Sequence, residues 1–238
     1  LFTRLRPWAA PVARVTLGIC LVASAFQGAL FGPELPLDDF GAYGLLMRLG
    51  LYVAGFLIIA NWHLRWGALL ALAIFAAGVL RYGVYAMTYA NYLGEIALAL
   101  FLLKKRYEEY GFLVLRVAFG LSVAFGALYA KFIHSNLALA TISEYHLTNF
   151  FHFDPLFIVL GACIIEVVMG VFFMVGFEVR HTAIFFLFWI FLSLLYFGES
   201  VWPHLILVGV NIALFMYGYD RWTVEGRYFN RGKLQPFL

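Results

Sequence analysis

The sequence predicts an all-α, polytopic membrane protein with about eight transmembrane helices, built as two tandem four-helix units. Three observations predict it. Hydrophobic residues make up 64% of the chain and charged residues 12%, whereas about a quarter of a soluble globular domain is charged. Apolar runs near the roughly 20 residues that a spanning helix needs recur from end to end. Lysine and arginine fall almost wholly in alternate breaks between those runs. The net charge of +3 is small and its basic residues sit in short loops, so nucleic acid is not an expected partner.

The runs are expected at roughly 12–31, 44–62, 66–83, 87–103, 112–134, 155–177, 182–198 and 203–219. Turn-forming and charged residues separate them. Gly32-Pro33-Glu34-Leu35-Pro36 with Asp38 and Asp39 follows the first helix, and Asn61-Trp62-His63-Leu64-Arg65 follows the second. The third-to-fourth connection falls near Gly83 and is the least sharply marked. Lys104-Lys105-Arg106-Tyr107-Glu108-Glu109 follows the fourth. The longest break, Lys131–Asp154, reads as an extended loop that holds a lysine, three histidines and two carboxylates among aromatics. Trp202-Pro203 opens the last helix, where a proline costs least. The chain begins at Leu1 rather than Met, so residues are expected upstream. The first apolar run is one of many, which does not mark it as a cleavable signal.

Eight spans place thirteen of the sixteen Lys and Arg on the side of the N-terminus, leaving only Arg48, Arg81 and Lys131 opposite. By the positive-inside rule both termini are cytoplasmic. The Lys131–Asp154 stretch and Gly198-Glu-Ser-Val-Trp-Pro-His204 then share the outer face. Phe, Tyr and Trp, 19% of the chain, suit lipid contact and interfacial belts. Cys20 and Cys163 lie singly inside apolar runs with no CxxC, so a thiol relay or a Cys-bound zinc is not expected.

The chain also looks duplicated, with residues 1–110 as one unit and 111–238 as the other. Arg14-Val-Thr-Leu-Gly18 opens the first helix and Arg116-Val-Ala-Phe-Gly120 the fifth. Gly55, Arg65 and Ala68 match Gly170, Arg180 and Ala183 at one offset, and Ala99-Leu100-Phe101 matches Ala213-Leu214-Phe215 nearly so.

The second unit carries a further pattern. Arg116 and Gly120 begin a helix that ends in Phe125-Gly126 and then Lys131. A loop leads through Pro155 to Glu166 and Gly170, then Gly176 and Arg180, and a last helix closes on Gly218. Over about residues 112–220 this resembles the DoxX/DoxD-like family of four-helix membrane proteins. The first unit echoes it weakly, with Leu51 where Glu166 stands and no lysine matching Lys131. The resemblance implies a bacterial or archaeal cytoplasmic-membrane protein linked to redox metabolism. Named members include the membrane subunit of a thiosulfate:quinone oxidoreductase.

Glu166 falls about mid-span at 1.5 Å per residue, where an ionisable side chain is costly and is a functional candidate by default. It is read either as a protonated acid that relays a proton or bonds a quinone carbonyl, or as a packing contact to a residue such as Tyr129. Glu95, also within a span, is expected to pair with Arg81 or Arg48. Lys131 and His134 are i, i+3 neighbours at the outer end of the fifth helix, on one face. His204 and Glu199 are expected beside them, with His146, His152, Glu144 and Asp154 in the loop above. As a group these residues suit a small anion, a quinone headgroup or proton transfer, although helix ends at an interface attract His, Lys and Glu in any case. Metal would need converging ligands that His146-x5-His152 does not supply, and haem would need His134 to face His204, so neither is expected. His63 and His181 read as headgroup contacts. The run from Asp220 to Lys233, mixing aromatics with Arg, reads as an interfacial anchor or docking strip. No P-loop, GxGxxG, GxSxG or HExxH pattern occurs.

The leading expectation is a redox-associated membrane subunit with Glu166, Lys131 and His134 as reacting groups. His204, Glu199, His146 and His152 would bind substrate, and a quinone would be the partner beside the lipid bilayer and other membrane or peripheral subunits. The competing expectations are a non-catalytic assembly subunit and a small transporter with a path past Glu95 and Glu166.

Overall fold

The computed structural model describes residues 2–146, 148, 153–197 and 201–228. It is all-helical, with no strand among the described residues. Five helical stretches are long and apolar enough to cross a membrane: Arg4–Gln27, Leu37–Ile59, Leu64–Phe101, Lys105–Ile133 and Pro155–Val175. Two shorter apolar helices, Val179–Leu195 and Val201–Tyr217, follow. Large apolar side chains stay exposed along them, as Leu45, Leu49, Val53 and Phe56 do on one helix. In water such a surface would aggregate, whereas in a bilayer it faces its solvent. The chain is a membrane protein.

In chain order the helices are α1 (Phe2–Gln27), α2 (Gly44–Ile59), α3 (Leu64–Tyr82), α4 (Ala90–Phe101), α5 (Glu108–Ala127), α6 (Ser135–Glu144), α7 (Pro155–Val175), α8 (Val179–Phe197), α9 (Val201–Tyr217) and α10 (Val224–Tyr228). Both ends of α1 differ from expectation. α1 starts at Phe2 rather than near residue 12 and runs through Pro7 and Pro11. Its first turns are held by burial, with Ala9 and Ala13 fully enclosed against the second half of the chain. It stops at Gln27 because Gly28, at φ +69°, turns the backbone left-handed. Ala29 N–H then returns to the Ser24 carbonyl at 3.1 Å, closing the orphaned end. The stretch Leu64–Phe101 breaks helical geometry at Gly83, near the expected connection, and doubles back over the 3₁₀ segment Gly83–Tyr89, so that α3 and α4 pack on each other.

Two cores divide the interior. One gathers α1, α2, α3 and α4 around Leu17, Leu51, Ile58, Phe75 and Tyr92. The other gathers α5, α7, α8 and α9 with the start of α1 around Phe112, Phe119, Phe173 and Val210. The tightest contacts come in corresponding places. α1 packs on α2 as α5 packs on α7, and α4 packs on α5 as α9 packs on α1. Gly18 and Gly55 lie so close that a Cβ on either would strike the other's carbonyl, and the same holds for Gly120 and Gly170. Only residues without a side chain allow backbones this near. Arg14 donates to the Ile58 and Ile59 carbonyls, and Arg116 to the Phe173 and Met174 carbonyls. Each arginine thereby satisfies the open C-terminal end of the neighbouring helix.

Candidate functional site

The site is set up by an irregularity in α5. After Ala127 the helix widens into one π-helical segment, Leu128–Ile133, in which His134 N–H bonds the Tyr129 carbonyl at 3.0 Å. His134 then leaves helical geometry (φ −113°, ψ 47°) and the chain turns into α6. Such bulges re-aim side chains and are frequent at functional sites. Here the bulge separates the two residues expected on one face. Lys131 reaches across to α7, while the His134 ring packs on Tyr129 with centroids 4.6 Å apart.

On α7, Asp154 caps the first turn by accepting from Leu156 N–H at 2.8 Å, with Pro155 at the first helical position. Three turns on, Glu166 meets Lys131. Nζ lies 2.6 Å from Oε2, with the side chains 26% and 14% exposed. Trp189 of α8 donates its indole N–H to Oε1 at 3.0 Å. Glu166 therefore has a charge partner on one oxygen and a neutral donor on the other, within a span where an unpartnered carboxylate would be heavily penalised. One turn earlier on the same helix, the buried Cys163 thiol faces the Ala127 carbonyl at 3.6 Å. Tyr129, the partner considered for Glu166, instead packs among Tyr85, Phe125 and His134.

Of the other expected members, His146 and His204 are described. His146 is exposed and takes a positive φ of 50° beyond α6, and His204 is half-buried in the first turn of α9. His152 and Glu199 lie outside the described residues. The stretch read as one long loop contains α6, which packs on α7 and on the π-helical segment beside Lys131. His63, in a left-handed conformation, packs at a tilt against Trp62, and His181 pairs with Glu178 at 2.7 Å on the surface.

Glu95 differs most from expectation. It is 2% exposed, and neither carboxylate oxygen has a hydrogen-bond partner. The arginines proposed for it are engaged elsewhere. Arg48 donates to the Ala25 and Phe26 carbonyls and Arg81 to the Asp39 carbonyl, at the loop end of the helices rather than in the core.

At the opposite end the chain folds back after α9. Asp220 accepts from Trp222 N–H at 2.7 Å, and Glu225 accepts from Val179 N–H at 3.0 Å, capping the start of α8. Arg116 holds the Trp222 carbonyl at 3.3 Å, and Arg221 pairs with Glu109 at 3.1 Å. Burial raises both the Asp220 and the Glu225 carboxyl above their ordinary values, against the lowering by their backbone donors. The segment read as an interfacial strip is therefore, up to Tyr228, a strap tied into the molecule. Residues 229–238 lie outside the described residues.

Comparison with family models, curated proteins and solved structures finds no match to this chain. Among the described residues no three His, Cys, Asp or Glu side chains gather as a metal site would require. Trp189 was not singled out in the sequence, although an indole N–H inside a span needs an acceptor and so signals one. Ser24, Asn91, Ser122 and Asn211 were also passed over. All four are buried polar residues in the helices, and each is legible as an isolated polar residue in an apolar run.

Proposed function

We propose that the chain is an eight-span protein of a bacterial or archaeal cytoplasmic membrane, with both termini inside and two tandem four-helix units at 1–110 and 111–238. We further propose that it belongs with the DoxX/DoxD-like redox proteins. Its site is Lys131, Glu166 and Trp189, taking a quinone headgroup or a small sulfur anion. The paired glycine contacts, Gly18 with Gly55 and Gly120 with Gly170, support the duplication, as do the matching Arg14 and Arg116 clamps. The distribution of Lys and Arg supports the orientation.

The observation that carries the site is the Lys131–Glu166 contact at 2.6 Å, buried enough to be strong and open enough to be reached. A quinone that takes two electrons also takes two protons, and Glu166 is the acid placed to deliver one. When Glu166 takes up a proton its hold on Lys131 weakens, and the ammonium is free to serve as counter-charge for an anion. Trp189 keeps the carboxyl in place through the change. In the overall exchange two thiosulfates give one electron each to form tetrathionate, while the quinone takes both electrons and two protons to become quinol. Purified protein should reduce a quinone analogue with thiosulfate, and Lys131→Ala and Glu166→Gln should each abolish this. Undiminished turnover in both variants would remove the reading.

One observation favours a second reading. Lys131 and Glu166 already satisfy each other, as a lock between α5 and α7 would. A non-catalytic subunit of a larger membrane complex would have such a pair with no turnover and would co-purify with stoichiometric partners.

A further inference from the structure

The core of α1–α4 contains a second polar group that the site above does not use. Asn91 and Glu95 are four residues apart on α4, and Cys20 and Ser24 four apart on α1, so each pair shares a helix face. α1 and α4 pack together, and both Cys20 and the fully buried Tyr92 lie near enough to Glu95 to feel its charge. Ser24 and Asn91 are at most 1% exposed. Asn91 Nδ2 and both oxygens of Glu95 have no hydrogen-bond partner, and Ser24 Oγ has only the Tyr92 hydroxyl beside it. Buried polar atoms are almost always satisfied, so the open valences on these facing parts of α1 and α4 call for an explanation.

Part of it is internal. The Ser122 hydroxyl from α5 faces two acceptors, the Thr88 carbonyl and Asn91 Oδ1 at 3.1 Å. It has one proton to give. With that proton on Thr88, the amide is satisfied by turning over, since the two amide ends are interchangeable in shape. Nδ2 then donates to Ser122, and Oδ1 takes the unpartnered position. The open valences become an all-oxygen set: two from Glu95, one from Ser24 and one from Asn91. Such a set accepts and does not donate, apart from the serine proton, and it holds a carboxylate without a counter-charge. No described basic side chain bonds to Glu95, and Arg14, Arg48 and Arg81 donate to carbonyls elsewhere. The titratable groups facing Glu95 are Cys20 from α1 and Tyr92 from α4, while α5 brings Ser122. Neither α3 between Gly67 and Leu80 nor α9 between Leu205 and Tyr217 contains a Lys, Arg, Asp or Glu.

We propose that Glu95, Ser24 and Asn91 form a binding site for one exchangeable monovalent cation, a proton or a sodium ion, inside the first four helices. The cation supplies the missing charge and completes the oxygen set. Release requires the α1–α4 seam to open, because the site is sealed when closed. A bare carboxylate left behind would be strongly disfavoured in the dry bundle, so opening and loading are coupled. The site is independent of what binds at Lys131 and Glu166.

The test uses the full chain in detergent or proteoliposomes with dicyclohexylcarbodiimide, which reacts with protonated carboxyls in apolar surroundings. Peptide mass spectrometry reads adducts at Glu95 and Glu166 separately. Glu95 should be labelled. With proton occupancy, labelling should fall roughly tenfold per pH unit once protons leave, and sodium should not matter. With sodium occupancy, added sodium but not potassium should protect Glu95 at constant pH. Thermal stability gives a second readout, in which Glu95→Gln should abolish the dependence on the same cation. Labelling indifferent to both pH and sodium would mark a sealed structural acid and overturn the site. So would absent labelling together with identical stability profiles for wild type and Glu95→Gln. Lys131→Ala and Glu166→Gln should leave Glu95 labelling unchanged, so the quinone reading can fail without this one.

Discussion

Glu95 and Glu166 are both carboxylic acids in membrane-buried helices, and their surroundings are opposite. Glu166 has Lys131 on one oxygen and Trp189 on the other and is part-open to its surroundings. Glu95 is enclosed and unpartnered among Cys20, Ser24, Asn91 and Tyr92. The difference originates in the backbone rather than in the acids. In the second half, the π-helical segment re-aims Lys131 toward α7. The first half has no lysine in that place, and its helix ends cleanly at Gly28. Glu95 is not the counterpart of Glu166, whose place in the first half is taken by Leu51, and its own helix α4 contains no basic residue.

The largest expected effect tests the clamps that hold the two halves alike. Arg116 is 2% exposed and donates to the carbonyls of Phe173, Met174 and Trp222. Arg116→Ala leaves buried carbonyls unpaired and should cost about 3 kcal/mol in thermal unfolding. Arg14→Ala, at a half-buried position with no strap attached, should cost about 1–2 kcal/mol. Equal losses would mean that the strap adds nothing to the second clamp.

The next test acts on the charge pair itself. Removing only Lys131 strands Glu166, and Lys131→Met should destabilise by about 2 kcal/mol, discounted for partial exposure. Adding Glu166→Leu should recover part of that, because no charge is then stranded, while the Trp189 indole N–H loses its acceptor. A double variant as weak as the single would show that the pair is not the unit of stability.

A similar cost is expected at the glycine crossings. Gly120→Ala and Gly18→Ala drive a methyl into the facing helix and should cost about 1–3 kcal/mol each. Gly126→Ala and Gly161→Ala meet nothing within 4 Å and should instead gain up to about 1 kcal/mol from helix propensity. Stabilisation at Gly120 would contradict the close backbone crossing.

The smallest effect is on the strap, where Asp220 and Glu225 have carboxyls raised by burial. A raised acid contributes stability that is complete below its unfolded value and is lost as pH rises through its folded one. The strap should therefore tighten as pH falls from neutral toward about 4–5. Slower proteolysis after Tyr228 or slower amide exchange at Val179 would register it, and Glu225→Gln should flatten the profile.

Much of the fold is legible in the sequence. The apolar runs mark where helices form because a span must bury its own backbone hydrogen bonds, and composition announces the solvent. Arg14 with Gly18 and Arg116 with Gly120 were visible as a recurring pair, and the contacts give that recurrence a physical job. Glu166 stood out because an acid in an apolar run always does. Its partner did not, since α-helical spacing puts Lys131 beside His134 and only a π-helical segment separates them. α6 was missed for a related reason. Its ten residues are too short for a span, and it is held by packing on α7 rather than by a strong periodic pattern.

The sequence alone determined that this chain is helical, lives in a membrane and buries acids that must be neutralised somehow. Those conclusions follow from composition and spacing, which act locally. The tertiary structure decided how each acid is neutralised, because that depends on which side chains and carbonyls neighbouring helices bring within hydrogen-bonding reach. Arg48 and Arg81 carry the right charge for Glu95, but carbonyls in the last turn of α1 and in the 3₁₀ segment Leu37–Tyr43 hold them away from it.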